Sequence, residues 1–294
     1  MSGEAGTTVL VAGATGVLGR PLMARLADAG HRAVGFSRRG GDGVRSADAL
    51  DAPAVRALAE EVRPDVVVNL LTAIPANLNP RRIGEAFALT NRLRIEGTAN
   101  LIAAAPEAHH VAESIAFVYD PAPGLATEDD PLWVDPPAVF APILDAVRTL
   151  ERQTLDAHGA ILRLGYLHGP GTAFDPAGGT FTDQVRKRRL PLAGPSTGVL
   201  SFLHVDDAAA AFVAAIERRF EGVLNVVEDD PQPVREWLPA YAAKLGAKPP
   251  LRVPRWLARL ASGAYGDAFY NDLRGASNAA ARERLGWAPT HRFP

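Results

Sequence analysis

Over the first half of the chain, short apolar runs alternate with stretches in which apolar residues recur every three or four positions. That rhythm predicts strands separated by helices, and hence a parallel sheet covered on both faces. Thr7 to Ala12 reads as the first strand, and Asp65 to Leu71 as another buried on both sides. Leu18, Leu22, Leu26 and Ala29 share one helical face, with Gly30 placed to end that helix. Val55, Leu58 and Val62 repeat the spacing ahead of Pro64. Phe87 to Ala105 predicts a long helix, His109 to Ala116 a strand, Asp145 to His158 a helix and Ala160 to Leu164 a strand.

The regime changes at the Gly/Pro-rich stretch from Gly169-Pro170-Gly171 to Gly179. Beyond it the pattern predicts a strand from Val199 to Val205, an Ala-rich helix from Asp206, a strand from Val223 to Val227 that rejoins the main sheet, and short helices from Pro233. The expected architecture is α/β: a Rossmann doubly wound parallel sheet with a smaller, mainly helical C-terminal lobe. The sheet domain is expected over 1–167 with 203–228 returning to it, and the smaller lobe over 168–202 and 229–294.

Composition narrows the function classes. The 294 residues are 47% apolar, which suits a sizeable core, and a formal net charge of −2 gives no nucleic-acid or membrane footprint. With no cysteine, disulfides, thiolate catalysis and cysteine metal sites are excluded. The stretch Met1 to Gly6 is polar, unlike a secretory signal, and no apolar run approaches the ~20 residues of a membrane helix. A cytoplasmic protein with a small-molecule substrate is expected, with a homodimer compatible. The run Arg186-Lys187-Arg188-Arg189 reads as a solvated helix end, with contact to an anionic substrate as the alternative.

The strongest motif is Gly13-Ala14-Thr15-Gly16-Val17-Leu18-Gly19, directly after the first strand and opening a helix. Glycines allow a tight turn and close approach to a pyrophosphate, and the helix start offers free N–H groups and a positive dipole end. Gly13, Thr15, Gly16, Val17, Leu18 and Gly19 are therefore assigned to cofactor binding. At the end of the second strand, where an acid usually receives a ribose 2′-hydroxyl, the chain reads Ser37-Arg38-Arg39. Two guanidiniums suit a 2′-phosphate, so NADP is expected over NAD. Asp42, in the following Gly40 to Gly43 loop, keeps NAD open.

These residues resemble the short-chain dehydrogenase/reductase superfamily, in its extended branch of NAD-dependent epimerases and dehydratases. The resemblance also rests on Glu96-Gly97-Thr98-Ala99-Asn100-Leu101, Leu162-Arg163 with Gly169-Pro170-Gly171, Phe202-Leu203-His204-Val205-Asp206-Asp207, Leu224-Asn225-Val226-Val227 and Leu285-Gly286-Trp287. It implies an adenine-side role for Asp48 and adds Leu71 and Thr72 to the cofactor set. The family's Tyr-x-x-x-Lys pair is missing. Taking Glu151 as the glutamate that follows the pair puts Ile143 and Val147 in the two positions, and a one-residue slip gives Leu144 and Arg148. The preceding Ser/Thr position falls on Ile115, one place from Ser114. The resemblance thus implies an atypical member.

Four residues are candidates for the missing acid/base function: Glu113, Ser114, Tyr119 and His168. Glu113 stands near the C-terminal end of a central strand, where such folds bind ligands. Tyr119 follows that strand, and its ordinary pKa of roughly 10 makes it a donor rather than a base at neutral pH. His168 follows the next strand and titrates near neutrality. His204 reads as structural. No histidine spacing matches a metal motif, so no metal is expected. Three readings remain at this point. The first is an NADP(H)-dependent oxidoreductase or an epimerase/isomerase with a non-standard acid/base group. The second is a degenerate NADP(H)-binding sensor or scaffold, and the third a non-redox enzyme with a structural cofactor.

Overall fold

The computed structural model describes residues 6–75 and 78–294, so Met1 to Ala5 of the polar N-terminal stretch lie outside the described residues. In chain order the elements are β1 (Thr8–Ala12), α1 (Gly19–Asp28), β2 (Arg32–Ser37), β3 (Val44–Ser46), α2 (Ala52–Val62) and β4 (Val66–Asn69). Then come α3 (Ile83–Ala86), α4 (Ala88–Arg92), α5 (Thr98–Ala104), β5 (His109–Ile115), α6 (Ala141–Asp156), β6 (Ala160–Leu164), β7 (Tyr166–His168) and α7 (Thr180–Arg186). The remainder is β8 (Leu192–Ala193), β9 (Val199–Leu200), β10 (Phe202–His204), α8 (Val205–Glu217), β11 (Gly222–Val226), β12 (Gln232–Pro233), α9 (Val234–Lys244), β13 (Arg252–Val253), α10 (Arg255–Asn271) and α11 (Ala279–Leu285).

Seven strands form one parallel sheet in the order β11-β6-β5-β4-β1-β2-β3. The winding runs outward from β1 through β2 and β3, then restarts on β1's other side with β4. The strand order therefore reverses between β1 and β4, and a crevice opens there at the carboxyl ends of the strands. Alternation along each strand divides the sheet's side chains. Val9, Val11, Val66, Val68, Val111 and Leu162 pack with α1 and α8, while Leu10, Ala12, Phe36 and Val67 pack with α2 and α5. A further apolar cluster joins Ile143, Leu144 and Val147 of α6 to Phe174, Phe202, Trp237 and Tyr241.

The helix expected from Phe87 to Ala105 begins at Ala88 and is interrupted by a π turn, Leu93–Gly97, between α4 and α5. The wider turn rotates Arg94 inward, and it is only 4% exposed. The strand expected from Val199 to Val205 is two strands. β9 pairs with β12 and β10 with β7, because Ser201 leaves the ladder and its hydroxyl accepts the Ala276 N–H at 2.9 Å. α6 begins at Ala141, a turn before the expected Asp145, since Pro142 suits a helix's first turn. The strand expected from Val223 to Val227 is β11, Gly222–Val226, which joins the main sheet beside β6. Among the described residues, no helix is long and apolar enough to cross a membrane.

Candidate functional site

At the start of the crevice, Gly13 adopts φ +88°, and a Cβ there would stand 2.7 Å from the Leu70 carbonyl oxygen. Gly19 packs closer still, since its Cβ would meet the Gly13 carbonyl oxygen at 2.3 Å. Gly35 on β2 leaves room for Ala14, whose methyl carbon would otherwise lie 2.4 Å from a Cβ. Sequence reasoning passed over Gly35, although a glycine inside a buried strand marks a close approach. The resulting loop turns its amides outward. Among the described residues those of Thr15, Val17 and Leu18 have no backbone acceptor. α1 has no side-chain cap and no acid in its first turn. Unpaired donors at an uncapped helix start form a cradle for a phosphate, so this loop fits a dinucleotide's pyrophosphate.

The neighbouring rim is basic. Ser37 ends β2 half-buried, and Arg38 and Arg39 are exposed, with no ion-pair partner for either guanidinium among the described residues. The turn Gly40 to Gly43 folds back toward the glycine loop, bringing Gly41 to 4.0 Å from the Thr15 methyl if given a Cβ. Asp42 is exposed in that turn. Asp48 is exposed beyond β3, where its carboxylate accepts the Leu50 N–H at 2.9 Å. Past β4, the Leu71 N–H donates to Asn69 Oδ1 at 3.1 Å and Thr72 is exposed.

β5 divides its polar residues between two sides of the sheet. Ser114 turns toward α6 and donates to Glu151 Oε1 at 2.6 Å. Arg163 of β6 donates to both Glu151 oxygens, at 2.9 and 2.7 Å, and to the Tyr119 hydroxyl at 2.8 Å. Tyr119 then donates to Asn225 Oδ1 at 2.6 Å. Burial opposes the Arg163 charge, but the Glu151 carboxylate outweighs it and raises the guanidinium pKa. Burial likewise raises Tyr119, against the pull of Arg163. Ser114 and Tyr119, at 1% exposure each, are thus members of a satisfied internal network and are withdrawn as acid/base candidates. Sequence alone could not show this, because the network joins residues as far apart as Tyr119 and Asn225.

Glu113 lies on the opposite side from Ser114. Its side chain keeps partial exposure near the carboxyl end of β5, while the earlier residues of the strand are buried. Burial among apolar neighbours pushes its carboxyl up to about 7, with Arg94 pulling the other way. Arg94 is in turn depressed to about 10 by burial, opposed by Glu113 and Glu151, and its Nη1 has no hydrogen-bond partner among the described residues. Arg94 thus acts on Glu113 through the field rather than a direct hydrogen bond. Asn91, one turn earlier, buries an equally unpartnered Oδ1.

Ile143 and Val147, the positions that the resemblance aligns with the Tyr/Lys pair, are at 0% and 1% exposure and packed in the apolar cluster. In the slipped register Leu144 is equally buried, and Arg148 donates away from the sheet to the Trp133 carbonyl at 2.7 Å. His168 is buried with its Nε2 on the Glu228 carboxylate. His204 caps α8 by accepting the Asp206 N–H at 3.2 Å. The fold also brings His204, Asp206 and His291 together, with ligand atoms within 4.8 Å. The two rings stack at 3.8 Å and 15°, so their in-plane lone pairs run parallel instead of converging on one ion. Asp207 accepts from Thr290 and His291, and although burial opposes its charge those bonds hold its pKa down.

A model of the NAD-dependent epimerase/dehydratase family matches residues 9–226. Over 295 aligned residues the chain is 46% identical to the 3-diazoavenalumate denitrifying reductase of a Streptomyces species, covering 96% of both. The fold is similar to Thermotoga maritima UDP-glucose 4-epimerase with UDP-glucose, at TM-score 0.75, 17% identity, and 97% and 94% coverage of the two chains. It is also similar to a human epimerase family protein with NADPH, at TM-score 0.74, 22% identity, and 96% and 94% coverage. With a glycine loop opening α1, strand order reversed between β1 and β4, and a family match spanning most of the sheet, the chain belongs to the NAD-dependent epimerase/dehydratase family.

Proposed function

We propose that this protein uses NADP(H) to remove nitrogen reductively from a diazo compound. The observation that carries the reading is the replacement of the proton-donating pair by Ile143 and Val147, both sealed in apolar packing. Reduction of a carbonyl builds negative charge on oxygen and needs a donor held against it. Reductive denitrification has no such oxygen, because its leaving group is neutral dinitrogen. The full-length likeness to a denitrifying reductase supports the same choice.

The balance defines what the site must supply. A diazo carbon gains one hydride and one proton, its bond to nitrogen breaks, and the electron pair of that bond leaves with dinitrogen. The nicotinamide, when bound, supplies the hydride. The proton is assigned to Glu113, which keeps partial exposure near the carboxyl end of β5 and, with its pKa pushed up to about 7, carries a proton up to neutral pH. Once ionised, the same carboxylate favours cationic character in its surroundings, with Arg94 limiting the accumulated charge. The amides of Thr15, Val17 and Leu18 would hold the pyrophosphate, and Arg38 and Arg39 the 2′-phosphate.

Deuterium transfer tests the reading. Incubation with NADPH carrying deuterium at C4 of the nicotinamide and a diazo carboxylate should give a product bearing one deuterium at the former diazo carbon. Product without deuterium, or unchanged diazo compound, would rule out hydride delivery.

A further inference from the structure

Two aromatic side chains stand together at the carboxyl end of the sheet. Ile115 and Leu164 are register partners on β5 and β6, and Phe117 and Tyr166 each follow by two residues. The two rings consequently meet face to face, with centroids 4.3 Å apart and planes 15° from parallel. Phe269 of α10 closes on Tyr166 edge-on, at 5.9 Å and 87°. These three keep partial exposure, whereas Phe202 and Tyr265 behind them are only 3% and 7% exposed. The Tyr166 hydroxyl is buried next to that of Tyr265, and burial raises the pKa of both.

A row of partly exposed rings packed on buried ones, on the strand run that carries Glu113, has the chemistry of a binding wall. It offers π-faces and hydrocarbon, while a nucleoside diphosphate needs guanidinium or amide donors for its phosphates. We infer that the substrate is a flat, conjugated aromatic molecule that extends the Phe117–Tyr166 stack from the outer face of Phe117, and that nucleotide sugars are not bound at this wall. The inference deepens the diazo reading and rests on it for the reaction, though not for the ring-binding class.

Calorimetric titration of the NADP-loaded protein separates the possibilities, using trans-cinnamate and UDP-glucose as probes. The wild-type protein should bind cinnamate at least 10-fold more tightly than UDP-glucose. Phe117→Ala should weaken cinnamate about 10-fold and Phe117→Leu, which keeps apolar volume without a π-face, about 3-fold to 5-fold, with NADP affinity unchanged in both. Tighter binding of UDP-glucose, or cinnamate affinity unchanged in both variants, would overturn the inference. Turnover with an aliphatic diazo ester equal to that with an aromatic diazo compound would also overturn it, leaving the reaction reading intact. Cinnamate binding that follows the predicted order, without turnover of any diazo compound, would support the aromatic wall and remove the diazo reading instead.

Discussion

The Ser114 hydroxyl lies 2.6 Å from Glu151, and that hydrogen bond fixes which way every residue of β5 points. Because side chains alternate along a strand, a serine anchored toward α6 commits Glu113 and Ile115 to the other side. Glu151 is tied to the interior by Arg163, while Glu113 has no hydrogen-bond partner among the described residues.

Removing the tied carboxylate should be costly. Glu151→Ala leaves the Arg163 guanidinium buried without its bidentate partner, a loss of about 3–5 kcal/mol. Urea unfolding checks this, and turnover per folded molecule should change little, since the network lies outside the reacting groups.

The free carboxylate should govern the pH profile. Turnover should fall as pH rises through about 7, where Glu113 loses its proton. Glu113→Gln should lower kcat by about 10²-fold and flatten that profile, with NADPH affinity unchanged. Stability should follow the same group. A carboxyl whose folded pKa is raised above its unfolded value of about 4.3 contributes stability that is fully present below the unfolded value. It is lost as pH rises through about 7, and the Gln variant should lack this component in thermal unfolding across the window.

Arg38→Glu should invert cofactor preference. On the proposed NADP reading it would remove a guanidinium from the 2′-phosphate and present a carboxylate to a ribose hydroxyl. Each charge-assisted contact contributes about 1.5–3 kcal/mol, so NADPH should weaken roughly 10-fold to 100-fold while NADH improves. Fluorescence titration with both cofactors measures the ratio.

Gly19→Ala should damage folding and cofactor binding together. The added Cβ would meet the Gly13 carbonyl at 2.3 Å, with backbone on both sides and no flexible side chain to yield. Overpacking of this kind costs about 1–3 kcal/mol, readable as a lowered Tm. Ile143→Ala should lower Tm as well, through the cavity it leaves, yet keep turnover per folded molecule.

The glycine loop, the sheet and the absence of the Tyr/Lys pair were legible in sequence because each is written in neighbouring residues. The roles of Ser114, Tyr119 and His168 were not, since each depends on a partner supplied from afar: Glu151, Arg163 with Asn225, and Glu228. The inward turn of Arg94 depends on a π turn that leaves the apolar periodicity nearly unchanged. The clasp of Asp207 on Thr290 and His291 spans 83 and 84 residues, beyond any local pattern. Phe117 and Tyr166 read as ordinary apolar positions until β5 and β6 align in register.

The central claim is that hydride transfer here expels dinitrogen and does not reduce a carbonyl. The direct measurement follows NADPH loss at 340 nm and dinitrogen release together, with an aromatic diazo carboxylate and with its ketone and aldehyde counterparts. Equimolar NADPH loss and dinitrogen release with the diazo compound, and little oxidation with the carbonyl compounds, is the predicted result. Rapid NADPH loss with the carbonyl compounds, with no dinitrogen from the diazo compound, would contradict it.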